Sequence, residues 1–401
     1  MRIRTRWRLG AVGAVVVAVL AGTVGGAAAG EPEPLGTVRG ADRGPVVAGE
    51  YIVVMDERRT TGAAQVRDRA RQLTRAHGGA VERTYTSALR GFAVRATERQ
   101  ARRLAADPAV AFVEPNRLER GDGTQTDPGW HLDRVDQRRL PLDDAYTYDT
   151  TATGVTAYVV DSGIRVGHRE FGGRARYGYN FVDGTTTASD CHGHGTHVAA
   201  GLGGATHGVA KGVRLVAVKV LNCDNLGTTA NVLAGYDWVA RNAQRPAVAN
   251  VSIGGSASDA KDAAVRAMVG AGVTVAVSAG NSNAPACGQS PAREPSVLTV
   301  AATSRDDARA AYSNHGSCVD LFAPGDAVVS AGHTSDTATA TRSGTSMAAP
   351  QVAGAAALVL ARQPLASPGR VAATLTSRAT TGAVTGRSGA PDRLLYTRPT
   401  G

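Results

Sequence analysis

Hydrophobic and polar positions change their rhythm near residue 120, and the two halves predict different folds. In the first, Tyr51-Ile-Val-Val-Met55 is an apolar strand, and apolar positions from Ala63 to His77 recur at helical spacing until Gly78-Gly79 stops them. Val81 to Thr97 alternates with a break near Leu89-Arg90-Gly91, which predicts two strands. Glu98 to Ala106 is helical again, and Val110-Ala-Phe-Val-Glu114 is a final strand. Strand-helix-strand-strand-helix-strand is the order of a small α+β ferredoxin-like domain, here 46–119. Residues 30–45, rich in Pro, Gly and Glu, read as a linker before it. The polar, Gly-containing stretch 120–126 reads as a linker open to cleavage after it.

Downstream, from 127 to 401, near-continuous apolar runs alternate with helical periodicity. The predicted strands are Val155–Val160, Arg214–Val220, Ala247–Val251, Val273–Val277 and Val297–Ala301. The predicted helices are Thr229–Asn242, Ala257–Ala271 and Ser346–Gln363. Strands apolar on both faces and separated by helices predict an α/β domain, mainly a parallel sheet covered by helices on both faces. Chemistry in such sheets gathers beyond the carboxyl ends of the strands.

Composition sharpens this picture in three places. Net charge is +10, but residues 1–120 hold 20 Lys+Arg against 12 Asp+Glu and the remainder 24 against 22. The excess sits in the first third, so the larger domain offers no basic face and nucleic acid is not an expected partner. Part of that excess is Arg2, Arg4, Arg6 and Arg8, followed by an apolar run from Leu9 to about Val24 and by Ala27-Ala28-Ala29. That is the layout of a secretory signal peptide over 1–29, removed on export, after which no membrane attachment is expected. The four cysteines, Cys191, Cys223, Cys287 and Cys318, allow three disulfide connectivities and show no C-x-x-C metal spacing.

Three segments carry candidate chemistry. Asp161 follows the strand ending Val159-Val160, and Ser162-Gly163 turns the chain after it. His192-Gly-His194-Gly-Thr-His197 opens a helix. Its H-x-H-x-x-H spacing resembles the metal motif of metallo-β-lactamases, but Thr196 stands where that motif needs Asp, and no H-E-x-x-H helix occurs. Ser346, in Ser343-Gly-Thr-Ser-Met-Ala-Ala-Pro350, opens a helix whose N-terminal N–H groups and dipole suit a developing oxyanion. It is not the elbow of α/β-hydrolases, because Ala348 replaces the second Gly of G-x-S-x-G. A hydroxyl nucleophile needs a base and a carboxylate to orient that base. Asp161, His194 and Ser346 supply those types in the order Asp…His…Ser, which is subtilisin's.

Val-Val-Asp161-Ser-Gly, His194-Gly-Thr-His197-Val-Ala and Gly344-Thr-Ser346-Met-Ala-Ala-Pro350 resemble the three signatures of the subtilase family, over about 125–396. Asp190-Cys191-His192-Gly-His194 and Cys223 are most similar to the proteinase K branch, in particular to aqualysin-type enzymes. The resemblance implies a subtilisin-like fold and a secreted serine endopeptidase of broad specificity, made as a preproenzyme that processes itself. Asn281, in Ser278-Ala-Gly-Asn281, matches the oxyanion-hole Asn, and His197 a structural histidine. Ser252, Ile253, Gly254 and Gly255 match the main-chain wall of the primary specificity pocket. Asn225, Leu226 and Gly227 match the edge that pairs with substrate backbone, where many relatives have Gly-Ser-Gly. Gln351 and Ala349 replace a common His and Thr.

The same resemblance implies no catalytic cofactor but structural calcium, held at Pro295, Val297 and Asp320 and, in aqualysin-like relatives, at Asp133, Asp136 and Gln137. It implies the pairings Cys191–Cys223 and Cys287–Cys318, and makes 46–119 an inhibitory propeptide that assists folding. The expected partners are protein and peptide substrates and the protein's own propeptide, and the enzyme is expected to be a monomer. Two rival readings are a metal-dependent hydrolase built on His192, His194 and His197, and an inactive subtilase-like binding protein.

Overall fold

The computed structural model describes residues 34–41, 46–60, 62–117 and 123–398. The expected signal peptide, the linker residues 30–33 and 42–45, and 120–122 of the processing segment lie outside the described residues. Contacts divide the described residues into two compact units, one holding those of 34–39 and Gly49–Pro115, the other those of Gly40–Ala48 and from Asn116 onward.

The smaller unit follows from its sequence closely. Its helices are Ala63–His77 and Glu98–Ala106. Thr97 accepts the Gln100 N–H and the Gln100 side chain returns a bond to the Thr97 N–H, a reciprocal cap that fixes where the second helix starts. Strands Val46–Met55, Ala80–Tyr85, Gly91–Arg95 and Val110–Arg117 form one sheet, with Gly91–Arg95 antiparallel to both of the first two and Val110–Arg117 on the outer side of Val46–Met55. Val53, Phe92, Val66 and Leu104 fill the core between sheet and helices. Val38, within the expected linker, bridges Val113 in parallel and so extends the sheet.

The larger unit is built on seven strands, β1 Thr156–Asp161, β2 Ala175–Asn180, β3 Arg214–Lys219, β4 Ala247–Val251, β5 Val273–Ser278, β6 Leu298–Thr303 and β7 Leu321–Pro324. Their order across the sheet is β2-β3-β1-β4-β5-β6-β7, and each neighbouring pair is parallel. Five principal helices cover it: α1 His194–Gly203, α2 Thr229–Asn242, α3 Asp259–Gly270, α4 Thr345–Arg362 and α5 Pro368–Arg378. Alternation along β1 shows why both faces are apolar. Ala157 and Val159 pack into the cluster containing Val198 of α1, Val352 of α4 and Val371 of α5. Tyr158 and Val160 pack against Val232 of α2 and Val265 of α3 on the other face.

Two strands of this sheet and one of its five covering helices are additions to the expected elements. Ala175-Arg-Tyr-Gly-Tyr-Asn180 carries a glycine and polar residues because it is an edge strand. Leu321-Phe-Ala-Pro324 is short and ends in proline at the opposite edge. Helix α5 starts with Pro368 after a Ser367 cap. The downstream half of the expected processing segment is also structured: Gly123–Thr126 is a strand paired antiparallel with Ala145–Tyr148.

Candidate active site

Asp161 is the last residue of β1 and wholly buried. Its carboxylate accepts the Ser162 N–H at 2.7 Å and faces His194 Nδ1, with the two oxygens 2.8 and 2.9 Å away. Burial disfavours the charged His194 ring, but the Asp161 charge and hydrogen bond outweigh it, and the imidazole is held above its ordinary value. With Nδ1 engaged, Nε2 is the nitrogen left for the cleft that His194 lines.

The start of α1 is aimed by Asp190, a residue whose sequence setting marks no such role. Asp190 Oδ1 accepts the N–H groups of His192 and Gly193 and the Ser162 hydroxyl, at 3.0, 2.8 and 2.9 Å. Its Oδ2 accepts the Thr196 N–H and hydroxyl at 2.8 and 2.6 Å. Burial alone would raise Asp190, yet these donors hold it below the usual carboxylate range. The Ser162 hydroxyl in turn accepts the Gly195 N–H at 2.9 Å. A Cβ on Gly195 would lie 2.1 Å from the Gly163 carbonyl, so only glycine lets α1 approach the turn after Asp161. Behind this turn, buried Lys219 donates to the Ser162 and Leu221 carbonyls at 2.5 and 2.8 Å.

Ser346 is the second residue of α4, one of the most deeply buried helices of the unit. Its Oγ donates to the Ser252 carbonyl at 3.2 Å, and Ser252 Oγ donates to the Ser346 carbonyl at 3.0 Å. Pro350 explains the second bond. It has no N–H to offer the Ser346 carbonyl four residues back, and Ser252 replaces that donor. Asn281 follows β5, and its Oδ1 accepts the Thr345 N–H and hydroxyl at 2.8 and 2.9 Å. That fixes the amide so that Nδ2 is the free end, in the cleft beside Ser346. Thr345 and Asn314, which accepts the Ser282 and Ala284 N–H groups, are supports the sequence did not single out.

His194, Asn281 and Ser346 open onto one cleft of about 970 Å³. Ser252–Gly255 after β4 and Asn225–Gly227 after β3 line it too, with Leu226 left 67% exposed. Disulfides join Cys191 to Cys223 and Cys287 to Cys318. The first ties the segment before His194 to the turn bearing Asn225–Gly227. The three histidines do not converge. His197 Nε2 bonds to the Val328 and Ala340 carbonyls at 3.2 and 3.1 Å, and burial and Arg342 push the ring down to about 3.

The remaining candidates lie elsewhere. Among the described residues no three His, Cys, Asp or Glu side chains gather as a metal site. Asp136 Oδ2 accepts the Thr147 N–H at 2.7 Å, while its Oδ1 and the Gln137 Oε1 are buried without partners. Asp133 accepts the N–H groups of Asp143 and Asp144 at 3.2 and 2.9 Å. Asp320 Oδ2 accepts the Thr299 N–H at 2.7 Å beside the turn containing Pro295 and Val297. Burial pushes both Asp136 and Asp320 up to about 6, and Asp143 adds to the effect on Asp136.

The Subtilase family model matches residues 152–393, and the Peptidase inhibitor I9 model matches 50–119. The chain is 52% identical over 322 residues to an extracellular serine proteinase of Thermus sp. (strain Rt41A), covering 80% of this chain and 78% of that protein. It is 49% identical to the alkaline serine exoprotease A of Vibrio alginolyticus, covering 79% of this chain but only 60% of that longer protein. The crystal structure of a cold adapted subtilisin-like serine proteinase superposes with a TM-score of 0.68 at 50% identity, over 69% of this chain and 100% of that one. With a parallel sheet of this kind and an I9 domain ahead of it, the chain belongs to the subtilase family of serine peptidases.

Proposed function

We propose that the chain is a secreted, self-processing serine endopeptidase whose nucleophile, base and orienting acid are Ser346, His194 and Asp161. The observation that carries this is the buried Asp161–His194 pair, with Nδ1 engaged at 2.8 Å, opening onto the cleft that holds the helix-start serine. Ser346 Oγ leaves the Ser252 carbonyl, passes its proton to His194 Nε2 and attacks the scissile carbonyl. Asp161 stays ionised and stabilises the imidazolium. Asn281 Nδ2 and the Ser346 N–H receive the oxyanion. His194 then protonates the leaving amine, and a water deprotonated by the same ring hydrolyses the acyl-enzyme. Asn225–Gly227 and Ser252–Gly255 bind substrate main chain as an added strand, which gives affinity with broad specificity.

Within the same reading, 46–119 is the propeptide and 120–126 holds the processing site, cut upstream of the strand Gly123–Thr126 so that this strand stays with the enzyme. Export follows from the basic, apolar and small-residue order of 1–29. No helix among the described residues is long and apolar enough to cross a membrane. Calcium is the structural ion. The unpartnered buried oxygens of Asp136 and Gln137, with Asp133 near Asp136, fit a hard cation, and so does the Asp320 carboxylate, which the Thr299 N–H holds next to the turn of Pro295 and Val297. It would supply charge compensation there and takes no part in the reaction.

The test is mass spectrometry of the secreted protein after treatment with a fluorophosphonate probe. A single adduct on Ser346, absent from His194→Ala, is the expected result. No adduct on folded, processed protein would sink the triad.

A further inference from the structure

One end of the cleft carries polar groups that the proposed chemistry does not use. From Ser252, beside Ser346, the chain runs through Ile253 and Gly254 to Gly255, and the facing wall runs from Ser278 to Gly280. No side chain projects from Gly254, Gly255 or Gly280, and the space beside Gly280 is taken by the side chains of Gln289 and Asn314. A Cβ on Gly280, at φ +102°, would lie 2.3 Å from Gln289 Oε1, and one on Gly254 would lie 3.8 Å from the same atom. The Gln289 amide therefore sits between the two walls. A Cβ on Gly255 would lie 3.4 Å from Lys261 Nζ, so the ammonium stands at the end of the first wall.

Lys261 makes no hydrogen bond or ion pair through its ammonium among the described residues. It enters from the first turn of α3, where its N–H bonds to the Ser258 hydroxyl. The neighbouring carboxylates bond to Arg293, Asp262 through Oδ2 at 2.5 Å and Asp259 as well, while the Asp262 charge also acts on Lys261. The Gln289 side chain is likewise without a partner among the described residues. Among the described residues no Asp or Glu lines the cleft, and the other fixed cation lining it is Arg342, which acts on His194. The pocket thus offers a half-buried ammonium, with Asp262 near it but outside the cleft lining, and an amide that can donate or accept.

We propose that this pocket selects glutamate, and after it glutamine, on the acyl side of the scissile bond, with Lys261 as the pairing cation. The selectivity rests on the serine-peptidase reading above and refines it: main-chain pairing supplies affinity for many sequences, and the pocket ranks them. The longer carboxylate is favoured over aspartate because the ammonium lies three residues along the wall from Ser252. Gln289 serves either side chain through its amide, so the preference for the acid over the amide comes from Lys261.

The experiment compares kcat/KM for peptides identical except for Glu, Gln, Leu or Lys at that position. The enzymes are wild type, Lys261→Met and Lys261→Glu, each titrated at Ser346 with a fluorophosphonate. Wild type should favour Glu over Gln about 5- to 10-fold at low salt, as expected for one charge-assisted bond. The ratio should shrink at about 0.5 M salt, where exposed charges are screened. Lys261→Met should bring it near 1 and raise cleavage of the leucine peptide, and Lys261→Glu should turn the preference to lysine. A wild-type ratio at or below 1, or an equal loss for all four peptides in Lys261→Met, overturns the proposal. If neither variant accumulates, the wild-type ratio and its salt dependence decide alone. Labelled, active enzyme without the preference sinks only the pocket assignment, whereas enzyme that takes no label sinks the serine-peptidase reading with it.

Discussion

Ser252 and Ser346 bond each other twice, hydroxyl to carbonyl in both directions, at 3.0 and 3.2 Å. The pair closes a gap left by Pro350 and at the same time holds the proposed nucleophile against a wall of the cleft. Ser252→Ala leaves the Ser346 carbonyl without a donor at the start of α4. The expected cost is about 1–3 kcal/mol, measured as a fall in Tm of phosphonylated enzyme, which cannot digest itself. An unchanged Tm would mean that water replaces the Ser252 hydroxyl.

Asn281 is held through Oδ1 by Thr345, so its free amide end is aimed without cost at the moment of reaction. Asn281→Ala should lower kcat by ~10²–10³, the range measured for the equivalent loss in subtilisin, with little change in KM. Thr345→Val removes one of the two fixing bonds and should lower kcat by a smaller factor, in the same direction.

The His194 ring must be neutral to accept a proton, and Asp161 holds its value above the ordinary one despite burial. The acid limb of kcat/KM should therefore lie above ~6.5, the unperturbed histidine value. Asp161→Asn removes the charge that raises it, so the limb should move to lower pH while kcat falls by ~10⁴. Below that unfolded-state value the charged pair also adds stability, which is lost as pH rises through the folded value. A limb that stays in place in Asp161→Asn would assign it to another group.

Asp136 keeps its proton in the folded protein up to about 6, against 3.8 without the fold. Between those values the folded state binds more protons than the unfolded one, so stability falls as pH rises. A cation at Asp136 and Gln137 should cancel that loss. Calcium should raise Tm at pH 7 and hardly at pH 4, and Asp136→Asn should flatten the first response. Equal responses at both pH values would place the ion elsewhere.

The Cys191–Cys223 bridge ties the segment before His194 to the turn carrying Asn225–Gly227. Replacing both cysteines by alanine should cost ~2–4 kcal/mol and raise KM for extended peptides more than it lowers kcat. Loss of the Cys287–Cys318 bridge should cost a similar amount without that KM effect.

Much of this was legible in the chain because the residues that matter sit where local pattern is strongest. Asp161 ends an apolar strand, Ser346 opens a helix rich in small residues, and the helices Ala63–His77 and Thr229–Asn242 match their predicted ranges. The edge strands Ala175–Asn180 and Leu321–Pro324 escaped, since an edge needs neither continuous apolar residues nor freedom from proline. Asp190 escaped because it caps N–H groups two to six residues on and reads in the chain as an ordinary turn residue. Lys219 and Asn314 escaped for another reason: each acts through main-chain groups distant in sequence. Lys261 and Gln289 were hidden in the same way, since only the folded walls bring them together.

Helices α1 and α4 are buried along nearly their whole length, whereas Leu226 stands exposed on the cleft rim and Lys261 and Gln289 are only half-buried at its wall. Changes of taste and changes of chemistry thus fall on different residues. A lineage carrying this fold can drift in diet by single substitutions at the rims, nearly free of stability penalty, while the buried helices leave the reaction itself almost no room to vary.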